Sequence, residues 1–305
     1  MQSNRFIHIG ANKTASTTLQ RSLFAQMGSI QYLGEDGVGY SDVIDDIWSL
    51  VNDDDFHYNA QRLAAIFAQQ LSLGDGKTFV FSNEDIMRSR TPSLCAYRLH
   101  DLVEDAQIIV VIRNQLTAVP SWYVNHGAFL RDVPPSYWRR YVSFDDWMSY
   151  CLQFLNYSPL DGFFYNEIIQ LYEGVFGAGR IHVFLFEEFV QDRKRFLRGF
   201  CDLLAVDPDE ARGLLAGRHE RKRLTQRQFN AHRWRERLLC GCSVPFADGS
   251  TWAAVKWRSF LEGGPPVDDC LTEGWRREVF DLYSAGNRQL AKRHHLPLVD
   301  FGYPM

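Results

Sequence analysis

Four short apolar runs, each followed by a polar turn and then a helical pattern, set the rhythm of this chain. They are Phe6 to Ile9, Phe79 to Ser82, Ile108 to Ile112 and Ile181 to Phe186. Ile108 to Ile112 is continuous and β-branched, as expected of a strand buried on both faces. Helices are predicted for Ala15 to Gln26, about Ala60 to Leu71, Leu94 to Val103, Leu116 to Val124 and Glu167 to Phe176. A further helix starts at about Asp192, where Phe196, Leu197, Phe200, Leu203 and Leu204 recur at helical spacing. Strands alternating with helices predict an α/β fold with a parallel sheet covered on both faces. The final third is mostly helical and closes on a long helix near Trp275 to Arg293. With no repeat or low-complexity linker, one domain over 1–305 is expected, its sheet core within about 5–205 and a helical, loop-rich portion over 206–305.

The first strand leads into RFIHIGANKTASTTLQ, residues 5–20. A tight turn at Gly10 and a helix opening behind a lysine make an anion site. Unpaired N–H groups at a helix N-terminus point at the ligand, and the helix dipole favours negative charge there. Lys13 adds a compact positive charge, and Thr14, Ser16, Thr17 and Thr18 supply hydroxyl donors. A nucleotide triphosphatase loop would read GxxxxGK[ST]. Here no glycine precedes the lysine, since Ala11 and Asn12 fill the gap. GANKTASTTLQ instead resembles the 5′-phosphosulfate loop of sulfotransferases that use 3′-phosphoadenosine 5′-phosphosulfate (PAPS). The fold implied is P-loop-like: three α/β/α layers, a central parallel sheet and a helical C-terminal portion.

A second segment strengthens the resemblance. The run Gln107 to Tyr123, QIIVVIRNQLTAVPSWY, ends its strand at Arg113 and carries Ser121 eight residues later. Open α/β sheets bind ligands at the carboxyl ends of their strands, and a guanidinium fork suits a phosphate dianion. The pair resembles the family's 3′-phosphate motif, in which both residues hold that phosphate. The third match, IHVFLFEEFVQDRKRFLRGFCDLL over 181–204, resembles the family's later strand, acidic turn and helix. Where the family often has a tyrosine, this chain has Phe186, so no hydroxyl contact is carried over. Glu187 and Glu188 read as caps of the next helix.

The resemblance implies sulfuryl transfer from PAPS to an acceptor hydroxyl, releasing adenosine 3′,5′-bisphosphate, with no metal required. Lys13 would stabilise the leaving oxygen. Asn12, Lys13, Thr14, Ala15, Ser16, Thr17 and Thr18 would bind the 5′-phosphate, and Arg113 with Ser121 the 3′-phosphate. The run FVFSNE places Glu84 past the end of a strand that lies beside the Lys13 loop if the sheet is parallel. Glu84 is then the expected general base. Sugar-directed members resemble this arrangement, which favours a carbohydrate or other aliphatic alcohol acceptor. His126 is a rival base or an acceptor contact. His8, within the first strand, reads as structural. The loops Gly127 to Ser143 and Ser243 to Asp269 are expected to shape the acceptor pocket. GSTWAAVKWRSF faintly resembles a C-terminal motif of cytosolic members, without residues to carry over.

Charge adds one asymmetry. Glu35, Asp36, Asp42, Asp45, Asp46, Asp53, Asp54 and Asp55 fall in a stretch without a lysine or arginine. Arg218, Arg221, Lys222, Arg223, Arg227, Arg233, Arg235 and Arg237 face only Glu220 and Glu236. A basic segment over the phosphates of PAPS is physically sensible, and Arg221 and Lys222 are the candidates. Few aromatics interleave, so nucleic acid is not expected. No apolar run reaches membrane-spanning length, and the first strand begins at once, so the expectation is a cytoplasmic protein resembling bacterial members. Cys95 and Cys201 read as small core residues; Cys240 and Cys242 lack zinc spacing, and a disulfide there stays open. Two other readings stand beside the sulfotransferase: a nucleotide kinase or NTPase with a degenerate loop, and an inactive nucleotide-binding module.

Overall fold

Among the described residues five strands form one sheet in the order β2-β3-β1-β4-β5, every neighbouring pair parallel. The computed structural model describes residues 4–11, 13–74, 76–129, 141–216, 224–239, 252–267 and 270–305. The first half of the chain runs β1 (Arg5–His8), α1 (Ser16–Thr18), β2 (Ile30–Gly34), α2 (Ile44–Asn52), α3 (Ala60–Leu73), β3 (Thr78–Ser82), α4 (Pro92–Leu102), β4 (Gln107–Ile112), α5 (Gln115–Asn125) and α6 (Phe144–Gln153). There follow α7 (Tyr165–Phe176), β5 (Ile181–Leu185), α8 (Phe186–Gln191), α9 (Arg193–Leu204), α10 (Pro208–Leu215), α11 (Gln226–Leu239), α12 (Trp252–Glu262) and α13 (Glu273–His294). The described part of the chain forms two compact units, one of 1–114, 162–221 and 283–305, the other of 115–161 and 222–282. The units interleave in sequence.

The first unit holds the sheet. β1 lies at its centre, with His8 beside Ser82 of β3 and Ile109 of β4. Alternate side chains along each strand serve opposite faces. Phe6, Val80, Ile109 and Val111 meet Leu23, Phe24, Phe196, Phe200 and Leu204, all buried. On the other face Phe67 of α3 packs edge-on to Phe79 and Phe81 at 6.2 and 5.2 Å. The sheet is therefore the middle of three layers. Helix α9 shows how local signals agree. Its apolar stripe is buried, the Asp192 carboxylate caps the Arg195 N–H at 3.0 Å, and Ala205 ends it in the left-handed region.

The second unit is packed on aromatic rings. Tyr123 of α5 meets Phe144 at 5.0 Å and Trp147 at 5.5 Å, and its hydroxyl donates to the Val142 carbonyl at 2.7 Å. Ser143 caps α6 by accepting from the Asp146 N–H at 3.2 Å.

Three features differ from the expectations. β2 is an extra strand; it is five residues long, polar at Gln31, and paired on one side only, so its pattern is weak. The helix predicted from Ala15 is α-helical only over Ser16–Thr18 and then widens over Leu19–Phe24, where the Ala25 N–H reaches back five residues to the Gln20 carbonyl at 3.0 Å. Helix α12 lies inside the segment expected to be a loop. The acidic stretch is a turn and helix whose counter-charges come from elsewhere. Arg21 pairs with Glu35 and Asp36, and buried Arg98 donates to the Asp53 carbonyl at 2.7 Å and to Asp55 at 2.8 Å. Cys95 and Cys201 are buried core residues, their thiols pushed up by burial to about 12 and about 11. Cys240 and Cys242 lie outside the described residues.

Candidate functional site at the carboxyl edge of the sheet

The loop after β1 is folded around its own strand. Ile9 and Ala11 donate to the carbonyls of Ile109 and Val111 at 3.0 and 3.2 Å, so the chain follows β4 before it turns. Lys13 and Ala15 then adopt positive φ, 69° and 64°, with Thr14 outside that region between them. Non-glycine residues pay on the order of 1–2 kcal/mol for this conformation. Alternation of this kind turns successive N–H groups towards one concave side and makes an anion nest. No side chain caps the opening of α1. The Thr18 N–H donates to the Ala15 carbonyl at 2.9 Å, which tightens the first turn.

The Thr14 and Ser16 hydroxyls bond within the loop. Thr14 is buried, and its Oγ1 donates to the Ala11 carbonyl at 2.5 Å. Ser16 Oγ reaches the same carbonyl at 3.2 Å and Thr14 Oγ1 at 3.2 Å. These two side chains brace the loop from inside. The Thr17 and Thr18 hydroxyls make no hydrogen bond to another described residue.

Under the loop lies a polar group built on His8. Its Nδ1 is 2.8 Å from Ser82 Oγ, which also accepts from Gln20 Nε2 at 3.0 Å. The ring sits so close to the turn that a Cβ on Gly10 would come within 2.4 Å of His8 Nε2; only glycine fits there. His8 is thus structural, as expected. Complete burial pushes its imidazole down to about 4, against an ordinary 6.5. Between these values the unfolded chain binds the extra proton, so stability rises with pH. This contribution is complete above pH 6.5 and is lost as pH falls towards 4, on the order of 3 kcal/mol in all. His8→Asn is expected to flatten the fall of Tm between pH 7 and pH 4.5; equal slopes in the two proteins would contradict it.

Glu84 follows β3 directly. The Asn83 N–H donates to the His8 carbonyl at 3.2 Å, tying this exit to the end of β1, and the Asn83 side chain caps the short helix Glu84–Arg88 through the Asp85 N–H at 2.8 Å. Asn83, and not Glu84, is therefore the cap of that helix. Glu84 is half-buried in the first turn.

Arg113 leaves β4 and reaches the loop. Its Nη1 donates to the Lys13 carbonyl at 2.9 Å, and its guanidinium lies 4.8 Å from the centre of the Phe186 ring. Phe186 opens α8 instead of closing β5, and supplies a flat platform for the arginine. Sequence reasoning missed this role, although Phe186 and Arg113 stand at the ends of adjacent apolar runs. Glu187 is no simple helix cap: its Oε1 accepts from the Asn114 N–H at 2.9 Å.

Lys13, Glu84 and Arg113 thus emerge from three neighbouring strands, β1, β3 and β4, at their carboxyl ends, and Lys13 and Arg113 are joined directly. Ser121 and His126 belong to the second unit. The Ser121 carbonyl accepts from Asn125 Nδ2 at 2.7 Å, and the His126 ring stacks on buried Trp122 at 4.5 Å. Asn12, Arg221 and Lys222 lie outside the described residues.

No family model and no curated protein matches the chain. Solved structures do. A sulfotransferase from Alicyclobacillus acidocaldarius is 20% identical, covering 68% of this chain and 83% of its own, with a TM-score of 0.48. The sulfotransferase domain of the Synechococcus PCC 7002 olefin synthase is 13% identical, covering 80% and 97%, at 0.39. The sulfotransferase domain from the curacin biosynthetic pathway is 13% identical, covering 87% and 100%, at 0.44. These three solved structures are a sulfotransferase and two sulfotransferase domains. The three-layer α/β/α assignment rests on the strand order and packing described above. No helix among the described residues is long and apolar enough to cross a membrane.

Proposed function

We propose that the protein is a PAPS-dependent sulfotransferase acting on a hydroxyl of a small molecule or glycan. The observation that carries this reading is the bond between Arg113 and the Lys13 carbonyl, which fixes a second cation against the phosphate loop. A nucleotide with phosphates at both ends of its ribose needs two such centres. The Lys13 loop takes the 5′-phosphosulfate, and Arg113, steadied on Phe186, takes the 3′-phosphate. The kinase alternative asks the hydroxyl after the lysine to hold magnesium. Thr14 Oγ1 is instead buried against the Ala11 carbonyl, which favours the transferase.

In this reading the acceptor oxygen attacks sulfur in line, the sulfur–oxygen bond to the 5′-phosphate breaks, and adenosine 3′,5′-bisphosphate leaves. Lys13 stabilises the charge that develops on the departing oxygen. Glu84 takes the acceptor's proton. Glu84→Gln is expected to lower turnover by about 10²-fold or more, with nucleotide affinity within about twofold of the parent. An unaltered rate would move the base elsewhere. The function itself is tested by incubating the protein with PAPS and a panel of sugars and aliphatic alcohols. Acceptor-dependent release of adenosine 3′,5′-bisphosphate supports it. Magnesium-dependent conversion of ATP to ADP, with PAPS untouched, would install the kinase in its place.

A further inference from the structure

Arg113 is held through its backbone as closely as through its side chain. The peptide joining Arg113 to Asn114 has both of its polar atoms gripped, by buried Tyr165 and half-buried Glu187. Its carbonyl accepts from the Tyr165 hydroxyl at 2.9 Å, and its N–H donates to Glu187 Oε1 at 2.9 Å. Tyr165 also accepts from the Arg113 N–H at 3.4 Å. These bonds fix the rotation that decides where the arginine side chain sets out. The grip of Glu187 depends in turn on a distant part of the chain. Its Oε2 accepts from the Tyr303 hydroxyl at 2.8 Å. Tyr303 is buried, and burial, with the Glu187 carboxylate next in importance, pushes its phenol well up. It therefore stays a hydrogen-bond donor at any ordinary pH.

The segment that carries Tyr303 is docked at several points. The Asn114 side chain donates to the Phe301 carbonyl at 2.9 Å, and Asn287 Nδ2 to the Pro304 carbonyl at 2.8 Å. Gly302 lies between them at φ 66°, where a side chain would be strained. This turn sends the chain back so that Tyr303 enters the core. All of these residues belong to the first unit.

We propose that Glu187 and Tyr303 are positioning residues for Arg113: the segment Phe301–Pro304 is a latch that sets the backbone from which the guanidinium meets the 3′-phosphate. The proposal rests on the nucleotide reading above. Neither residue touches the nucleotide; both act through the Arg113–Asn114 peptide. Functional groups must be held to within about 0.5 Å for full effect, so a loosened peptide weakens the 3′-phosphate contact selectively.

The test compares adenosine 3′,5′-bisphosphate with adenosine 5′-monophosphate, which lacks only the 3′-phosphate, by calorimetry on the full chain. Tyr303→Phe removes one hydroxyl and is expected to weaken bisphosphate binding about tenfold while leaving the monophosphate within about twofold. Glu187→Ala is expected to do at least as much. Glu187→Gln keeps an acceptor for the Asn114 N–H and is expected to recover most of the selectivity. A general loss of structure would weaken both nucleotides alike. An unchanged ratio of the two affinities in Tyr303→Phe overturns the latch while leaving the nucleotide reading standing. No preference for the bisphosphate in the parent protein overturns that reading and the latch with it. Should Glu187→Ala fail to fold, the ratio in Tyr303→Phe decides alone.

Discussion

Lys13→Ala is expected to lower turnover with PAPS by about two to three orders of magnitude, the largest effect of any single change in the site. In the proposed transfer, charge develops on the departing phosphate oxygen as the sulfur–oxygen bond opens, and a positioned ammonium acts on that charge more strongly than on the ground state. The loss should therefore fall on kcat, with a smaller rise in KM. The loop itself should survive, because Thr14 and Ser16 brace it through the Ala11 carbonyl and Arg113 holds residue 13 through its backbone. An alanine keeps that carbonyl. Steady-state kinetics beside a melting curve would check both points. A variant that folds normally and turns over at half the parent rate would remove Lys13 from the chemistry.

Arg113→Ala is expected to erase selectivity for the 3′-phosphate. A charge-assisted hydrogen bond contributes about 1.5–3 kcal/mol, so binding of adenosine 3′,5′-bisphosphate should weaken roughly ten- to a hundredfold. Adenosine 5′-monophosphate should lose much less. Some loss is expected for both ligands, since the guanidinium also ties down the Lys13 carbonyl. The difference between the two is therefore the decisive quantity. Arg113→Lys should restore charge without the planar fork or the platform contact with Phe186, and so recover only part of the selectivity. Equal losses for the two nucleotides would sink the role given to Arg113.

Much of this site was legible in the sequence, because its cations sit where apolar strands stop. Phe6 to Ile9 and Ile108 to Ile112 are short, β-branched or aromatic, and nearly free of polar residues, so the strands and the residues just past them could be placed. A parallel pairing then puts Glu84 beside the end of β1, and the Asn83-to-His8 bond places that exit there. The edge strand β2 was not legible: Gln31 breaks its pattern, and a strand paired on one side tolerates polar residues. The widened turn over Leu19–Phe24 has no signature in residue type, and the helix-like spacing of Leu19, Leu23 and Phe24 conceals it. Roles that depend on contacts between distant segments were equally hidden. Nothing in EEF announces that Glu187 will hold the peptide after Arg113, and nothing in FGYP announces that Tyr303 will hold Glu187. Residue type alone does not show that the buried hydroxyls of Thr14 and Ser16 reach the Ala11 carbonyl.

In the proposed function this loop and this arginine together recognise a nucleotide phosphorylated at both ends of its ribose. Calorimetric titration of the full chain with adenosine 3′,5′-bisphosphate and with ADP, each with and without magnesium, decides whether they do. The expected result is a preference for the bisphosphate of at least about tenfold, unchanged by magnesium. Equal affinity for the two nucleotides, or binding that requires magnesium, would contradict it.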